Sequence, residues 1–520
     1  MKTVKIEIKT NEYWYGGSVN DGYLFPLSVK DEYYLDLTDN NTYNQLNPLF
    51  LSSLGRYIWL EDGGKIWFSN GVISIVAEEI EIDETENCLK NCYLAAMRKH
   101  FPPNRRLPKE FLFTKPQLCT WVALKQAQTQ SDIIDYAKSY LAAGYEPGLI
   151  VIDDGWQIAS GDWNFDANKI PNPKKMIDTL HGLGFYVSLW LVPYVMKDSP
   201  DVAMLKESGA FIRNTAGELI DAVWFDGISY ALDLTTDSAR NWLENVAARL
   251  KRDYGVDGFK LDCGDAMFLK GAYGKKNIQN TLWAQGLTEK NDYNIELRSC
   301  FKYGGKNCIQ RLADKAHIFS IEFVKDENYA EGGFIRYGLS SVLPAMLAQG
   351  ILGYWYGCPD MVGGGLVAND FPDVVNDELL IRFCQACVLM PTVQFSYPYW
   401  LSKNAAVRDS MKQAMALREK FLDYILRLIK NASETGEPVV RYMEYEFPHI
   451  GLEKVVSQYM LGEEFMIVPI AKQGAEKQTV YFPENTLWRN MITGKEYKAG
   501  ICEIDVDINS LLVYQRINNL

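Results

Sequence analysis

Four strand-like apolar runs in this 520-residue chain end in aspartate, and that recurrence constrains the fold more than any other feature. They are LIVIDDGW (149 to 156), VDGFKLDCGD (256 to 265), IQRLAD (309 to 314) and ILGYWYGCPD (351 to 360). Burying a carboxylate is expensive unless it is paired or hydrogen-bonded, so acids at four strand ends imply one shared polar pocket. A barrel of alternating strands and helices supplies such a pocket, because side chains at the carboxyl ends of its strands converge on one face. An aspartate after a strand is also a common turn former or helix cap, so one run taken alone does not separate the two readings.

The rest of the chain fits that frame. Eight candidate strands fall near 115 to 121, 149 to 153, 185 to 191, 257 to 262, 293 to 297, 309 to 314, 351 to 356 and 392 to 396. Helical patterns such as SDIIDYAKSYLAAG and SARNWLENVAARLKRDYG lie between several of them. Eight strands are what a closed barrel requires. Before them, short alternating runs with Gly and Asn turns (KIEIKT, KIWFSN, GVISIVAEEIEI) predict antiparallel β-structure, and the proline-rich FPPNRRLPKE reads as a linker. After TGEP, the runs FMIVPIA, KQTVYFP and EIDVDI predict a second small β unit. The expected fold class is therefore α/β, a (β/α)8 TIM barrel flanked by an N-terminal β-sandwich and a C-terminal β-sandwich. The expected divisions are 1–108, 109–435 and 436–520.

Composition excludes several functions. A hydrophobic content of 48% is ample for a large core, and a net charge of −13 argues against nucleic acid, whose phosphate backbone calls for a basic face. No run approaches the roughly 18 apolar residues of a membrane span. The N-terminus, MKTVKIEIKTNEYW, has no apolar core of a secretory signal, and the scattered cysteines read as reduced core thiols, so a cytoplasmic location is expected. Cys384 and Cys387 form a CxxC, but RFCQACVLM has the pattern of a buried helix, and no second cysteine pair completes a zinc site. The chain has four histidines and no HxH or HExxH pair; His181 and His317 read as structural. Convergent carboxylates with Trp and Tyr between them suit a sugar, whose hydroxyls donate to acids while its C–H faces lie on rings.

Taken together, PQLCTW (116 to 121), PGLIVIDDGW (147 to 156), LHGLGFYVSLWLVPYV (180 to 195), YGVDGFKLDCGD (254 to 265), QRLADKAH (310 to 317), GILGYWYGCPDMVGGG (350 to 365), TGEPVVRYMEYEFP (435 to 448) and YMLGEEFMIVP (459 to 469) make the chain resemble the retaining α-glycosidases of glycoside hydrolase family 31. Within that family it is similar to the bacterial branch related to the myogenesis-regulating glycosidase, which includes α-galactosidases. The motifs occur in family order over nearly the whole chain.

The resemblance implies roles residue by residue. Asp262 matches the nucleophile and Asp314 the general acid/base, two carboxyls that a retaining enzyme sets roughly 5 to 5.5 Å apart. Lys260, two residues upstream on the same strand face, is placed to lower the pKa of Asp262. Arg311 matches a residue that contacts the sugar. Asp153 and Asp154 match acids that bind sugar hydroxyls, and two carboxylates suit the axial 4-hydroxyl and the 6-hydroxyl of galactose. Trp190 and Trp224 match aromatics of the sugar pocket, and Asp360 matches an acid at the seventh strand end. No cofactor is implied; the expected partner is a small oligosaccharide or glycoside, and a homo-oligomer is compatible with the sequence. Three departures stand out: Asp265 replaces the usual Glu, no histidine follows the eighth strand, and 318–340 is longer than in many relatives, which suggests a loop over the site. An α-glucosidase or α-xylosidase, a transglycosylase and an inactive carbohydrate-binding relative remain as alternatives.

Overall fold

The computed structural model describes residues 1–38, 44–224, 227–274, 276–289, 292–325, 333–365 and 375–517. At the N-terminus, two four-stranded antiparallel sheets carry the alternating runs seen in the sequence. One is ordered Lys2–Glu7, Val72–Ala77, Gly64–Ser69, Tyr33–Asp36; the other Trp14–Ser18, Leu46–Ser52, Tyr57–Trp59, Glu81–Asp83. Local chemistry fixes the register of the tightest hairpin: Ser69 pairs with Val72 across Asn70 and Gly71, both at positive φ (52° and 74°), the geometry for which an Asn-Gly pair is suited.

The central sheet is a barrel of parallel strands: Gln117–Cys119, Leu149–Ile152, Tyr186–Leu191, Gly258–Leu261, Asn294–Leu297, Ile309–Arg311, a seventh strand in two pieces (Gly357–Cys358 and Met361–Val362), and Gln394–Phe395. Gly357–Cys358 pairs with the sixth strand and Met361–Val362 with the eighth, while the eighth pairs with the first. The two ends of the sheet are thus pieces of one strand, and the sheet meets itself. Between the pieces Asp360 takes φ 79°, a left-handed conformation that Asp tolerates better than most residues. Strands such as LIVI (149–152) and GFKL (258–261) are buried along their whole length, as expected of a sheet covered on its outer face and packed within. The two helices read from the sequence form where expected. Gln130–Ala142 starts in a capping box between Thr129 and Asp132, and Asp237–Tyr254 ends at Gly255 in the left-handed region (φ 90°).

One strand expectation is overturned. The run at 351 to 356 is not the seventh strand: Val342–Ile351 is a helix, Gly353 turns the chain at φ 80°, and the strand begins only at Gly357. Every residue of that helix is buried, so it shows no polar face, and periodicity cannot tell such a helix from a buried strand. The CxxC falls in helix Asp377–Cys387, with both thiols buried.

After the sixth strand, Ile321–Lys325 and Gly333–Tyr337 form an antiparallel hairpin; 326–332, in the middle of the insertion at 318–340, lie outside the described residues. The C-terminal region packs a six-stranded sheet (Val440–Arg441, Tyr459–Leu461, Phe465–Val468, Leu512–Ile517, Leu487–Asn490, Glu496–Tyr497) with the pair Lys477–Phe482 and Gly500–Asp505. One face of it closes a core around Met443, Met466, Val480, Trp488 and Tyr514, while Val440, Tyr459, Leu461, Phe465, Ile467 and Val513 join the continuous core of the N-terminal sandwich and the barrel.

A long helix, Ala405–Thr435, ties the two ends of the barrel order together through Arg418. Its buried guanidinium donates to the carbonyls of Phe113, Val388, Met390 and Pro391 at 2.7 to 2.8 Å, next to the first and eighth strands. Arg418→Met fills the space but leaves these acceptors unsatisfied, at about 1 to 3 kcal/mol for each buried group. We expect an apparent destabilisation of about 3 kcal/mol or more in urea titrations; a loss below about 0.5 kcal/mol would show that the carbonyls are satisfied without it.

Candidate active site

Because the strands are parallel, their carboxyl ends lie on one face, and there the sequence-predicted residues come together. The second strand delivers Asp153 and Asp154, the third Trp190, the fourth Lys260 and Asp262, the sixth Arg311 and Asp314, and the seventh Asp360. The fifth strand adds Glu296 and, just beyond its end, Arg298.

Arg311 is the centre of the cluster. Its guanidinium is fully buried and faces four carboxylates: Glu296 at 3.1 Å, Asp360 at 2.5 Å, Asp262 at 3.6 Å, and Asp314 in direct contact. A guanidinium is a rigid planar fork, so acids held by its terminal nitrogens lie within one side chain's width of each other. Asp262 and Asp314 are therefore neighbours although they come from different strands. They are also the two open members of the set: the side chain of Asp314 is 27% exposed and that of Asp262 12%, against 0% for Asp360 and 4% for Glu296.

Asp262 is held on both oxygens. Oδ1 accepts from Arg298 Nε (2.5 Å) and from the N–H of Cys263 (2.9 Å); Oδ2 accepts from Trp190 Nε1 (3.0 Å). Burial by itself raises its pKa, but the cationic groups of Arg298, Lys260 and Arg311 outweigh burial and hold the carboxyl well below the ordinary range. Asp262 is thus an ionised acid near neutrality. Lys260 contributes to that field, yet its hydrogen bond goes to Asp153 Oδ2 at 2.7 Å, with both side chains buried.

Asp153 also accepts from Cys119 Sγ (2.9 Å) and from the N–H of Asp154 (2.9 Å). Asp154 accepts from Gln126 (2.5 Å), Gln157 (2.8 Å) and the N–H of Gly155 (2.8 Å). Trp190 and Trp224 stack at 6.2 Å with an interplanar angle of 18°, and Trp224 Nε1 donates to Ser229 Oγ. Trp224 stands on an excursion sheet after the third strand (Tyr194–Met196, Gly227–Ala231, Asp221–Trp224), and Phe225 and Asp226 of its VWFDG motif lie outside the described residues. The hairpin at 321–337 is anchored beside Asp314, since Ala316 N–H donates to Tyr337 O (2.8 Å). His181 pairs with Asp257 (2.9 Å), and His317 lies between Gly363 O (2.7 Å) and Asn376 N–H (3.0 Å).

The sequence reading passed over Arg298 and Glu296. Arg298 Nη2 donates to Asp265 Oδ2 at 2.7 Å while its Nε holds Asp262, so the aspartate at the position usually occupied by Glu braces the arginine that braces Asp262. Glu296 accepts from Gln394 at 2.6 Å and lies against Arg311. The available signal was charge in and directly after a strand with no exposed face: IELR puts Glu296 within it and Arg298 at its end, where apolar residues are the rule. Gln45 also lies under the site, with its amide 2.6 Å from the carbonyls of both Arg298 and Arg311. Nothing in its local sequence announces this.

A parallel barrel with a pair of accessible acids at its carboxyl face defines the class, and comparison with known proteins gives the family. Residues 111–309 match the glycosyl hydrolases family 31 TIM-barrel domain, and 436–520 match the glycosyl hydrolase family 31 C-terminal domain. These matches cover more than half of the chain, which belongs to glycoside hydrolase family 31. It is 28% identical to the myogenesis-regulating glycosidase of Mus musculus over 407 residues, 76% of this chain and 55% of that protein. It is 23% identical to an alpha-xylosidase of Lactiplantibacillus pentosus over 87% of this chain and 59% of that protein. The chain spans about half the length of these curated relatives. Among solved structures, a Flavobacterium johnsoniae GH31 dextranase complexed with glucose superposes with a TM-score of 0.82 at 17% identity, covering 99% of this chain and 66% of that one. A GH31 alpha-xylosidase from a soil metagenome, complexed with xylose, gives 0.79 at 20% identity, with 99% and 79% covered. At these identities the structures share the fold.

Removing Arg298 tests the electrostatic reading. Loss of a cation raises a neighbouring carboxyl's pKa, so in Arg298→Gln the Asp262 carboxyl titrates at a higher pH, by about 1 to 3 pH units. Infrared difference spectra with 13C-labelled aspartate, referenced to Asp262→Asn, read this directly. An unchanged titration would show that Arg298 does not hold the charge.

Proposed function

We propose that this chain is an exo-acting α-glycoside hydrolase working by double displacement, with Asp262 as nucleophile and Asp314 as general acid/base, and that its substrate is α-linked galactose in an oligosaccharide or glycoside. The observation that carries the reading is the pairing of two partly exposed carboxylates on one buried guanidinium. A retaining hydrolase needs one acid ionised and one able to hold a proton, both within reach of a single anomeric carbon. Asp262, ionised by its three cations, attacks C1 while Asp314 gives its proton to the departing oxygen. Asp314 then takes a proton from water, which attacks C1 and releases the sugar with its anomeric configuration retained. Trp190 orients Asp262, and Trp224 stacked behind it extends the aromatic wall. The domain divisions at 108/109 and 435/436 are part of the same proposal, the second supported by the end of the long helix at Thr435. So is a reducing, cytoplasmic setting, supported by ten free cysteines, eight of them buried.

The preference for galactose rests on the paired acids Asp153 and Asp154. A second reading, hydrolysis of an α-glucoside or α-xyloside, is favoured by the commitment of Asp153 to Lys260, Cys119 and the Asp154 N–H. Relatives described as neutral alpha-glucosidase C and alpha-xylosidase point the same way.

Initial rates on p-nitrophenyl α-galactoside, α-glucoside and α-xyloside separate the two readings, and NMR of the first-formed anomer tests retention. Asp262→Asn is expected to lose several orders of magnitude in kcat. Asp314→Ala is expected to spare glycosides with good leaving groups relative to poor ones. Equal losses on both kinds would remove Asp314 from the acid role, and an inverted product would remove the covalent intermediate.

A further inference from the structure

The loop after the first piece of the seventh strand grips the residue that follows Asp314 from both sides. Asp360 Oδ2 accepts from the N–H of Lys315 at 2.7 Å, and the N–H of Gly365 donates to the carbonyl of Lys315 at 2.7 Å. Asp360 Oδ1 accepts from Arg311 Nη1 at 2.5 Å, the same nitrogen that contacts Asp314. The carboxylate is fully buried and held at a non-glycine positive φ, a conformation that persists only where its surroundings enforce it. Closed off in this way, it is placed to act on Asp314 and not on a sugar.

We propose that Asp360 is a positioning residue for the general acid: its negative charge draws on Arg311 and so allows Asp314, on the same guanidinium nitrogen, to keep the proton that it must donate. The inference rests on the role of Asp314 given above. A carboxylate bound to Arg311 alone would be driven towards ionisation, which suits Asp262 and defeats an acid. A second buried carboxylate on the same nitrogen opposes that pull. The two acids act on each other: burial, with the charge of Asp314 adding to it, raises the pKa of Asp360 to about 6 although Arg311 and the backbone N–H groups of Lys315 and Met361 oppose this, so Asp360 supplies its negative charge above that pH.

Among the described residues, the other ionisable groups nearby are Arg311, Asp314 and Lys315 on the sixth strand end, Asp262 and Glu296, which share Arg311, and two thiols, Cys358 on the seventh strand and Cys387 on helix Asp377–Cys387, both pushed upward by burial and neutral near pH 7. The Lys315 ammonium is buried with no hydrogen-bond acceptor among the described residues, 5.4 Å from the centre of the Tyr337 ring, and burial pushes its pKa down to about 8.

The test is the alkaline limb of kcat/KM, which reports loss of the acid's proton in the free enzyme. Asn has nearly the same shape and tolerates the same φ, so Asp360→Asn removes the charge; its single oxygen accepts from Arg311 or from the Lys315 N–H, so one hydrogen bond is lost as well. The limb on p-nitrophenyl glycosides is expected to move to lower pH by about one pH unit. On a 2,4-dinitrophenyl glycoside, whose departure needs no proton, the variant is expected to lose its deficit at high pH. Lys315→Met, which deletes the neighbouring cation, is expected to move the limb upward and serves equally if the first variant fails to melt cooperatively. A uniform loss at all pH values with the limb in place would assign Asp360 a structural role only and overturn the proposal. A wild-type chain that turns over none of the three aryl α-glycosides would instead overturn the hydrolase reading on which it rests.

Discussion

One guanidinium, that of Arg311, divides its charge among four carboxylates in a position closed to solvent. Neither the arginine nor the acids around it tolerate burial alone, since an unpaired buried charge costs several kcal/mol. Each acid comes from a different strand, the fourth, fifth, sixth and seventh, so the arginine meets all four only when the barrel has closed and its strands are in register. Lysine could not replace the arginine: a point ammonium has no flat fork with which to fix four acids in defined directions.

The same arrangement separates the two acids of the proposed chemistry. Asp262 receives Arg298, the field of Lys260 and part of Arg311, together with a tryptophan N–H and a backbone N–H; Asp314 shares one nitrogen with another acid and faces solvent more openly. Pairs of titratable groups whose surroundings push them apart in acidity are how one pocket runs nucleophile and acid at a single pH. The paired acids of the second strand are drawn into this electrostatic balance too, since Asp153 neutralises Lys260 in the barrel interior.

The N-terminal sandwich belongs to the same construction. From a segment next to the strand Leu46–Ser52, Gln45 sets its amide nitrogen 2.6 Å from the carbonyls of Arg298 and Arg311, while its amide oxygen accepts from Gln349, which also donates to the Gln310 carbonyl at 3.0 Å. Two neighbouring barrel strands are thereby pinned at the residues that carry the arginines. The continuous core between sandwich and barrel makes this rigid. The C-terminal sheet joins that core on one face, through Tyr459, Leu461, Phe465 and Val513, and closes a core of its own on the other.

The order of elements, seven of the eight barrel strands, the capped helices and the aspartates at the strand ends could be read from the sequence, because each leaves a local mark: an apolar run of strand length, a Thr-x-x-Asp cap, an Asn-Gly turn, an acid after a strand. The seventh strand could not, because the helix before it is buried on every side and shows no period to set it apart from a strand. Nor could Arg298, Glu296 and Gln45 be given their places, since what makes them matter is a partner on another strand or in another sheet. The effect of Lys260 on the acidity of Asp262 could be read from the spacing that puts both on one face, but only the packed barrel offered Asp153 as the acid it hydrogen-bonds. The sequence by itself determined which residues form strands and which acids stand at their ends, because hydrophobic period and turn chemistry act between near neighbours along the chain. The tertiary structure decided which charge answers which, because Coulomb attraction and hydrogen bonding act through space and depend on the closed barrel that brings distant residues within reach.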